Sequence, residues 1–247
     1  MTTLPERTGG QLIVDCLQAQ GVEHVFCVPG ESYLAVLDAL HDASINVTVC
    51  RQEGGAVMMA DASARLTGHP GIAMVTRGPG ATNASAGIHI AEHDSVPLIL
   101  FVGQIETGMK ERGAFQEMDY KAYFGSTAKW VTEITDPARV PEIISRAFHI
   151  AMQGRPGPVV IALPEDMLVA VAHAAAGPRV EPVETWPGLT QMAELQKLLW
   201  AAKRPIAILG GSGWSEKARA SMIRFAERFD LPVATSFRRA MLFDGDH

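Results

Sequence analysis

The segment that decides the fold is RQEGGAVMMADASARLTG, residues 51–68. Apolar and small residues recur in it at spacings of three and four, which predicts a helix over residues 53–67. Gly68 and the proline that follows soon after it are typical of a helix end. Because the β-branched run INVTVC (residues 45–50) comes directly before, the segment predicts a strand that leads straight into a helix.

Strand-like and helix-like segments alternate in the rest of the chain as well. After an opening helix at about residues 10–20, the predicted elements are HVFCV (24–28), helix 31–41, INVTVC (45–50), helix 53–67, GIAMVT (71–76), helix 81–93, PLILFVG (97–103), KWVTEI (129–134), helix 137–152 and GPVVIAL (157–163). Such uninterrupted apolar strands are typical of a parallel sheet that helices cover on both faces. The predicted fold class is therefore α/β, with a doubly wound parallel sheet.

The composition and periodicity of the sequence change towards the end of the chain. Residues 1–168 are expected to form the first domain, and the proline-containing residues 169–188 a linker. Residues 189–247 repeat the pattern, with helices 190–202 and 215–229 and the strands PIAILGG and LPVATS, as at the beginning of a Rossmann-like α/β domain. Since two strands cannot make a stable open sheet, we expect this second domain to be incomplete.

Composition excludes several classes of function. With 247 residues and a net charge of −6, the chain lacks the basic stripe that a nucleic-acid partner requires. It has no apolar run of the ~20 residues that span a bilayer, and its first ten residues lack the apolar core of a signal peptide. Cys16, Cys27 and Cys50 form no CxxC motif and are expected to be reduced and buried. We therefore expect a cytoplasmic protein without nucleic-acid or membrane partners.

Glu53 is the carboxylate at the start of the predicted helix, and glycines and apolar residues follow it. An acid in a first helical turn often does no more than complement the helix dipole. In an apolar setting at the end of a strand, however, desolvation favours the protonated acid, which suits proton transfer. The residues alone leave both interpretations open.

Three glycine-containing turns follow predicted strands, namely VPGE (28–31), GPGATN (78–83) and GGSG (210–213). Such turns allow a ligand to approach the backbone and can hold an anion, but each can also be a simple tight turn. His89 and His93 have the spacing of metal ligands on a helix, with Glu92 between them. Because no further ligand follows at a recognisable spacing, we predict a solvated helix face there and no metal site.

The periodicity fails between Gly103 and Lys129. A loop of this length inside a domain is usually functional or disordered. Its aromatic residues argue against disorder; they are Phe115, Tyr120, Tyr123 and Phe124. Because loops at the carboxyl ends of parallel strands commonly bind ligands, we expect this loop to contribute to a binding site.

Seven segments occur in one order and together resemble a known family. They are VFCVPGESYLAVLDAL, RQEGGAVMMADASARLTG, VTRGPGATNASAGI, DSVPLILFVGQ, AFQEMDY, AKW and RPGPVVIALPEDM. The series is similar to the amino-terminal, pyrimidine-binding domain of thiamine-diphosphate-dependent enzymes, and most similar to their acetolactate (acetohydroxyacid) synthase branch. The resemblance covers residues 8–168, and residues 190–247 resemble the start of the family's central domain.

The resemblance implies roles for particular residues. Glu53 matches the family's catalytic glutamate, which hydrogen-bonds N1′ of the cofactor's aminopyrimidine and so promotes proton removal from thiazolium C2. The other implied contacts are Gly30 beside the cofactor, Pro79 and Asn83 near the pyrimidine, and Phe115 and Gln116 facing the thiazolium and the substrate. Lys129 matches a lysine position of the family.

Two features depart from the family pattern. Glu31 stands where the family's synthases commonly have a second glycine, and the residues after Gln116 lack the arginine associated with flavin contact. FAD or ADP is therefore left open as a further ligand. The implied cofactors are thiamine diphosphate and Mg²⁺. The family holds them mainly through a C-terminal domain with a Gly-Asp-Gly motif, and residues 1–247 do not include such a domain. The family builds its site between two subunits, so a homodimer or homotetramer is implied.

On this resemblance, the chain is expected to be the amino-terminal part of a lyase or transferase that is inactive as a fragment. The enzyme would decarboxylate a small-molecule 2-oxo acid and form a carbon–carbon bond or transfer the acyl group. The alternative is a non-catalytic α/β nucleotide-binding or regulatory module that shares the fold. The joint presence of Glu53, the GPGATN turn and the Phe-Gln pair favours the enzyme.

Overall fold

A six-stranded parallel sheet is the centre of the fold. The computed structural model describes residues 4–247, which fall into two units, one up to Pro182 and the other Val183–His247, and each is described by itself. Within these residues the strands are β1 (Glu6–Thr8), β2 (His24–Cys27), β3 (Asn46–Val49), β4 (Gly71–Val75), β5 (Leu98–Gln104), β6 (Trp130–Glu133), β7 (Pro158–Pro164), β8 (Val171–His173), β9 (Ala207–Leu209) and β10 (Val233–Thr235). The α-helices there are α1 (Gly9–Ala19), α2 (Leu34–His41), α3 (Glu53–Thr67), α4 (Pro79–Asp94), α5 (Tyr120–Phe124), α6 (Val140–Met152), α7 (Glu165–Val169), α8 (Leu189–Ala201) and α9 (Glu216–Phe229).

The strands of the central sheet follow the order β3-β2-β4-β5-β7-β6, and every neighbouring pair is parallel. β4, β5 and β7 are buried along their whole length, since helices cover both faces. This confirms the predicted doubly wound parallel α/β sheet. The helix predicted over residues 53–67 is α3, with the same bounds.

β5 shows how the sheet separates two cores. Because successive side chains of a strand point to opposite faces, Ile99 and Phe101 belong to the core with α1, α2 and α6. Leu100 and Val102 belong to the core with α3 and α4. All four side chains are at most 1% exposed, and burying each contributes roughly 1.5–3 kcal/mol.

Small residues bring α3 close to its neighbours. A Cβ atom on Gly87 of α4 would lie 2.5 Å from Cγ1 of Val57, and one on Gly71 of β4 would lie 2.0 Å from the carbonyl oxygen of Ala60. Neither position can hold a side chain unless the backbone or the core moves. This close approach fixes α3 against α4 and β4, and with it the position of Glu53 at the start of α3.

The strand order reverses between β2 and β4. The chain leaves β2 through α2 towards β3 on one side, and it leaves β4 through α4 towards β5 on the other. The turns after these two strands, residues 28–31 and 76–80, therefore diverge and leave a crevice at the carboxyl edge of the sheet. In open α/β sheets ligands bind at such a crevice.

Some elements differ from those expected from the sequence. β8 lies within the expected linker, residues 169–188, yet it pairs antiparallel with β1, so the first part of that segment packs on the first unit. Neither β1 nor β8 could be predicted from the sequence, because three residues are too few to show the alternation of a strand. α4 begins at Pro79, two residues before the predicted start, because proline suits the first position of a helix.

The second unit contains the parallel pair β9 and β10 together with α8 and α9. These elements follow the predicted order. The indole of Trp214 donates to the carbonyl of Gly210 at 2.9 Å, so a side chain just beyond the GGSG turn orders that turn. Among the helices of residues 4–247, none combines the length and the apolar character that crossing a bilayer requires.

Candidate functional site

Glu53 is the first residue of α3, and its half-buried carboxylate faces α4. Asn83, on the second turn of α4, donates from Nδ2 to Oε2 of Glu53 at 3.0 Å. Within residues 4–247 no hydrogen bond engages the other carboxylate oxygen, Oε1. The carboxyl group is therefore oriented through one oxygen and open to a ligand through the other.

The start of α3 is built so that it can approach α4. The side chain of Gln52 caps the helix by accepting from the Gly55 amide at 2.8 Å. A Cβ atom on Gly54 would lie 2.9 Å from Oε1 of Gln52 and 3.1 Å from the carbonyl oxygen of Asn83. Glycine at this position lets Glu53 come within hydrogen-bonding distance of α4.

The turn after β2 is fixed to the end of β4. A Cβ atom on Gly30 would lie 2.4 Å from Cβ of Thr76, so only glycine allows this approach. The hydroxyls of Ser32 and Thr76 form a hydrogen bond of 2.9 Å, and the Ser32 hydroxyl also accepts from the backbone amide of Arg77 at 3.3 Å. Gly30 is thus held at the crevice, against the end of β4 that leads into the glycine-rich start of α4.

Tyr33 lies beneath this turn. It is 1% exposed, and its phenol donates to the carbonyl of Val28 at 2.5 Å. Burial raises the pKa of this phenol, the neighbouring thiol of Cys27 raises it further, and the carboxylate of Glu53 adds to the effect.

The turn that opens α4 is held by the long loop. Gly78 has a φ of +56°, which favours glycine, and its amide donates to the phenol oxygen of Tyr120 at 3.0 Å. The same phenol donates to the carbonyl of Gly103, at the end of β5, at 3.1 Å. Burial raises the pKa of Tyr120 to about 12. One buried hydroxyl therefore connects β5, the GPGATN turn and the long loop.

Gln116 comes directly against this turn. A Cβ atom on Gly78 would lie 2.9 Å from Cβ of Gln116. Gln116 itself has a φ of +64°, a left-handed conformation that is unfavourable for a residue other than glycine and that is found preferentially at functional sites. Its neighbour Phe115 is 74% exposed, which leaves its ring available for contact.

The structure thus brings the predicted site residues to one edge of the sheet. Glu53 and Asn83 are in direct contact, Gly30 meets the end of β4 just before the turn with Pro79, and Gln116 abuts that turn. Lys129 does not join them. It precedes β6 at the opposite edge, where its ammonium donates to the carbonyls at the end of α6, those of Ile150 (2.5 Å) and Gln153 (2.8 Å).

A cavity of about 400 Å³ lies beside the site, between the long loop and the ends of β6 and β7. Its lining includes Gln104, Tyr120 and the ion pair of Lys110 with Glu133. Glu53 is not among the residues that line it. The candidate site is therefore the open crevice at the strand-order reversal rather than this neighbouring cavity.

The histidine pair of α4 has a closer arrangement than the sequence indicates. Nitrogen and oxygen atoms of His89, Glu92 and His93 lie within 4.8 Å of one another. Both histidines are exposed, and Glu92 also faces Arg155 at 3.6 Å. The absence of a metal site here stays a prediction.

Several residues that shape the site were not predicted from the sequence. The sequence indicates Tyr120 only as one of the aromatic residues that argue against disorder of the loop, whereas its hydroxyl connects two backbone segments. Arg77, which forms ion pairs with Glu31 and Glu165, gave no signal, because a charged residue before a turn usually lies in solvent.

Comparison with known proteins identifies the family. Residues 7–123 match the model of the thiamine pyrophosphate enzyme N-terminal TPP binding domain. Residues 192–247 match the model of the thiamine pyrophosphate enzyme central domain. The two matches together account for more than half of the chain, in the order expected from the motifs.

Similar curated proteins are acetolactate synthases. The acetolactate synthase of Bacillus subtilis is 32% identical over 96% of this chain and 42% of its own length. The large subunit from Haemophilus influenzae is 36% identical over 93% of this chain and 41% of its own length, and the isozyme 3 large subunit from Escherichia coli is 35% identical over 97% and 43%. The chain spans about two-fifths of the length of these relatives. It belongs to the thiamine pyrophosphate enzyme family.

Proposed function

We propose that this chain provides the pyrimidine-binding part of a thiamine diphosphate site in an acetolactate synthase-like enzyme. The enzyme would decarboxylate a small 2-oxo acid and transfer the remaining acyl unit to an acceptor, as a lyase or transferase. The observation that carries the proposal is the Glu53 carboxyl group, oriented by Asn83 through one oxygen and open through the other, at the reversal of strand order. Nothing favours the alternative of a non-catalytic module.

The residues present fit the cofactor's aminopyrimidine. A ring nitrogen needs a partner that can share a proton, and Oε1 of Glu53 has that chemistry at the start of a helix bordered by Gly54 and Gly55. A Cβ atom on Gly55 would have no neighbour closer than Oε1 of Gln52 at 3.9 Å, so the backbone at Gly55 is open to a flat ring. Gly30 and Pro79 border the same crevice and would contact the ring from the β2 and β4 turns.

Each side chain then has a physical task. When bound, thiamine diphosphate supplies the nucleophilic carbon and the electron sink for breaking the bond next to the substrate carbonyl. Glu53 would hold and share a proton at N1′, and Asn83 would keep the carboxyl group pointing at that atom. Phe115 and Gln116, on the loop over the crevice, would contact the substrate and exclude water.

The rest of the site is expected from other parts of the protein. Mg²⁺ and the diphosphate need a set of oxygen ligands, which we assign to a C-terminal domain. We expect the site to form between two subunits of a homodimer or homotetramer, in a cytoplasmic enzyme.

Glu53→Gln in the complete protein tests the proposal. The amide keeps the hydrogen-bonding shape but cannot share the proton, so we expect a folded protein whose turnover of a 2-oxo acid falls about a hundredfold or more. Glu92→Gln, which removes a carboxylate from the far end of α4, is the matched control and should leave turnover within twofold. Near-normal turnover of Glu53→Gln, with thiamine diphosphate and Mg²⁺ present, would refute the assignment.

A further inference from the structure

Three charged side chains meet between the two turns of the crevice. Arg77 directly precedes the GPGATN turn, and its guanidinium donates from Nη2 to Oε1 of Glu31 at 3.1 Å. The other terminal nitrogen, Nη1, pairs with the carboxylate of Glu165, the first residue of α7. The side chain of Arg77 is 12% exposed, that of Glu165 34%, and that of Glu31 66%.

The backbone places Glu31 there. A Cβ atom on Gly103 would lie 1.8 Å from Oγ of Ser32, so the missing side chain at the end of β5 makes room for the 3₁₀ turn Glu31–Tyr33. The hydrogen bond between Ser32 and Thr76 holds this turn beside the end of β4. Glu31 is therefore positioned by packing and hydrogen bonds rather than by its ion pair alone.

The charges of this trio do not cancel. One guanidinium faces two carboxylates, which leaves a net charge of −1. Glu165 is the less exposed of the two carboxylates and suffices to neutralise Arg77. Glu31 is therefore the excess negative charge, and it lies on the solvent side, on the same turn as Gly30.

We propose that Glu31 determines acceptor specificity by occupying the outer edge of Arg77, where the carboxylate of an incoming acid would otherwise pair. The inference rests on the proposed function and names its preferred acceptor class: uncharged aldehydes or ketones rather than a second 2-oxo acid. A tethered carboxylate competes at an effective concentration of about millimolar or more, and it also repels a second anion. Because two acceptors that compete for the same enzyme-bound donor unit share its formation, an effect of Glu31 on donor binding cancels in their product ratio.

Competition between two acceptors tests this in the complete protein with thiamine diphosphate, Mg²⁺ and labelled pyruvate as donor. The acceptors are 2-oxobutyrate and propanal, which differ in the carboxylate. We expect Glu31→Gln to raise the ratio of the acid-derived to the aldehyde-derived product by about tenfold. The double variant Glu31→Gln/Arg77→Met should lose this gain, because no cation is left to receive the acid.

Glu92→Gln is again the matched control, because it removes a carboxylate from an ion pair with Arg155 at the opposite edge of the sheet. An unchanged product ratio in Glu31→Gln, an equal change in Glu92→Gln, or a gain that survives Arg77→Met would each overturn the inference.

A binding measurement separates this inference from the proposed function. Pyruvate and its uncharged analogue pyruvamide are titrated against the wild type and Glu31→Gln, with thermal shift as the readout and no turnover required. We expect the preference for pyruvate over pyruvamide to be several-fold greater in Glu31→Gln. An equal preference in both proteins overturns the role of Glu31. Absence of any product from pyruvate, in contrast, counts against the proposed function, and the titration then decides the role of Glu31 by itself.

Discussion

Removing the hydroxyl of Tyr120 should loosen the turn that opens α4. The phenol accepts from the Gly78 amide at 3.0 Å and donates to the Gly103 carbonyl at 3.1 Å, and the residue is 3% exposed. In Tyr120→Phe both backbone groups lose this partner where water does not readily replace it. An unsatisfied buried group costs about 1–3 kcal/mol, and the carbonyl can still use its second lone pair, so we expect a loss of about 1–3 kcal/mol in total.

Amide hydrogen exchange and urea unfolding measure this loss. Since about 1.4 kcal/mol corresponds to a tenfold change in an equilibrium constant, exchange at Gly78 should become about 5- to 150-fold faster. Tyr123→Phe is the matched control, because Tyr123 is 39% exposed and no hydrogen bond of its hydroxyl is found within residues 4–247. If both variants lose the same stability, the bridging role of Tyr120 is wrong.

The same variant has a pH signature. The pKa of Tyr120 is raised from 10.0 to about 12, so the folded state keeps this phenol neutral where the unfolded state ionises it. The stability that its interactions contribute is therefore fully present below pH 10 and is lost as the pH rises towards 12. The stability difference between the wild type and Tyr120→Phe should shrink over that interval. A constant difference from pH 9 to pH 12 would contradict the assignment.

Three further variants probe the packing and the site. Gly103→Ala should destabilise the fold by about 1–3 kcal/mol in urea unfolding, because its methyl group would lie 1.8 Å from Oγ of Ser32; wild-type stability would mean that the turn moves freely. In Asn83→Ala the fold decrease in kcat should be about ten times the fold increase in the KM of the substrate, because the Glu53 carboxyl group becomes free to rotate. An unchanged kcat would contradict this. Lys129→Met should lower the melting temperature by a few degrees and leave kcat within twofold, because Lys129 binds the end of α6 at the opposite edge of the sheet. A large loss of kcat would show instead that Lys129 contributes to the site.

The sequence predicts well what depends on local pattern. α3 begins and ends where its apolar spacing and Gly68 indicate, and each strand of the central sheet is recognisable as a short run rich in apolar or β-branched residues. Glu53 could be singled out because it lies at a junction of a strand and a helix. The motifs then indicated the family, which the comparisons confirm.

Contacts between distant segments could not be predicted in this way. β1 and β8 have three residues each and lie far apart in the chain, so their pairing leaves no periodic signal. Gln116 has a left-handed conformation and lies against Gly78, a contact between distant segments that only the folded chain brings about. The ion pair of Arg77 with Glu165 likewise joins the ends of β4 and β7 across the sheet.

The most direct test of the central claim is an experimental structure of the complete protein with thiamine diphosphate bound. We expect Oε1 of Glu53 within hydrogen-bonding distance of N1′ of the aminopyrimidine, about 2.6–3.2 Å, while Asn83 still donates to Oε2. A cofactor ring bound elsewhere, or a Glu53 carboxylate that points into solvent away from the turns of Gly30 and Gly78, would contradict the claim.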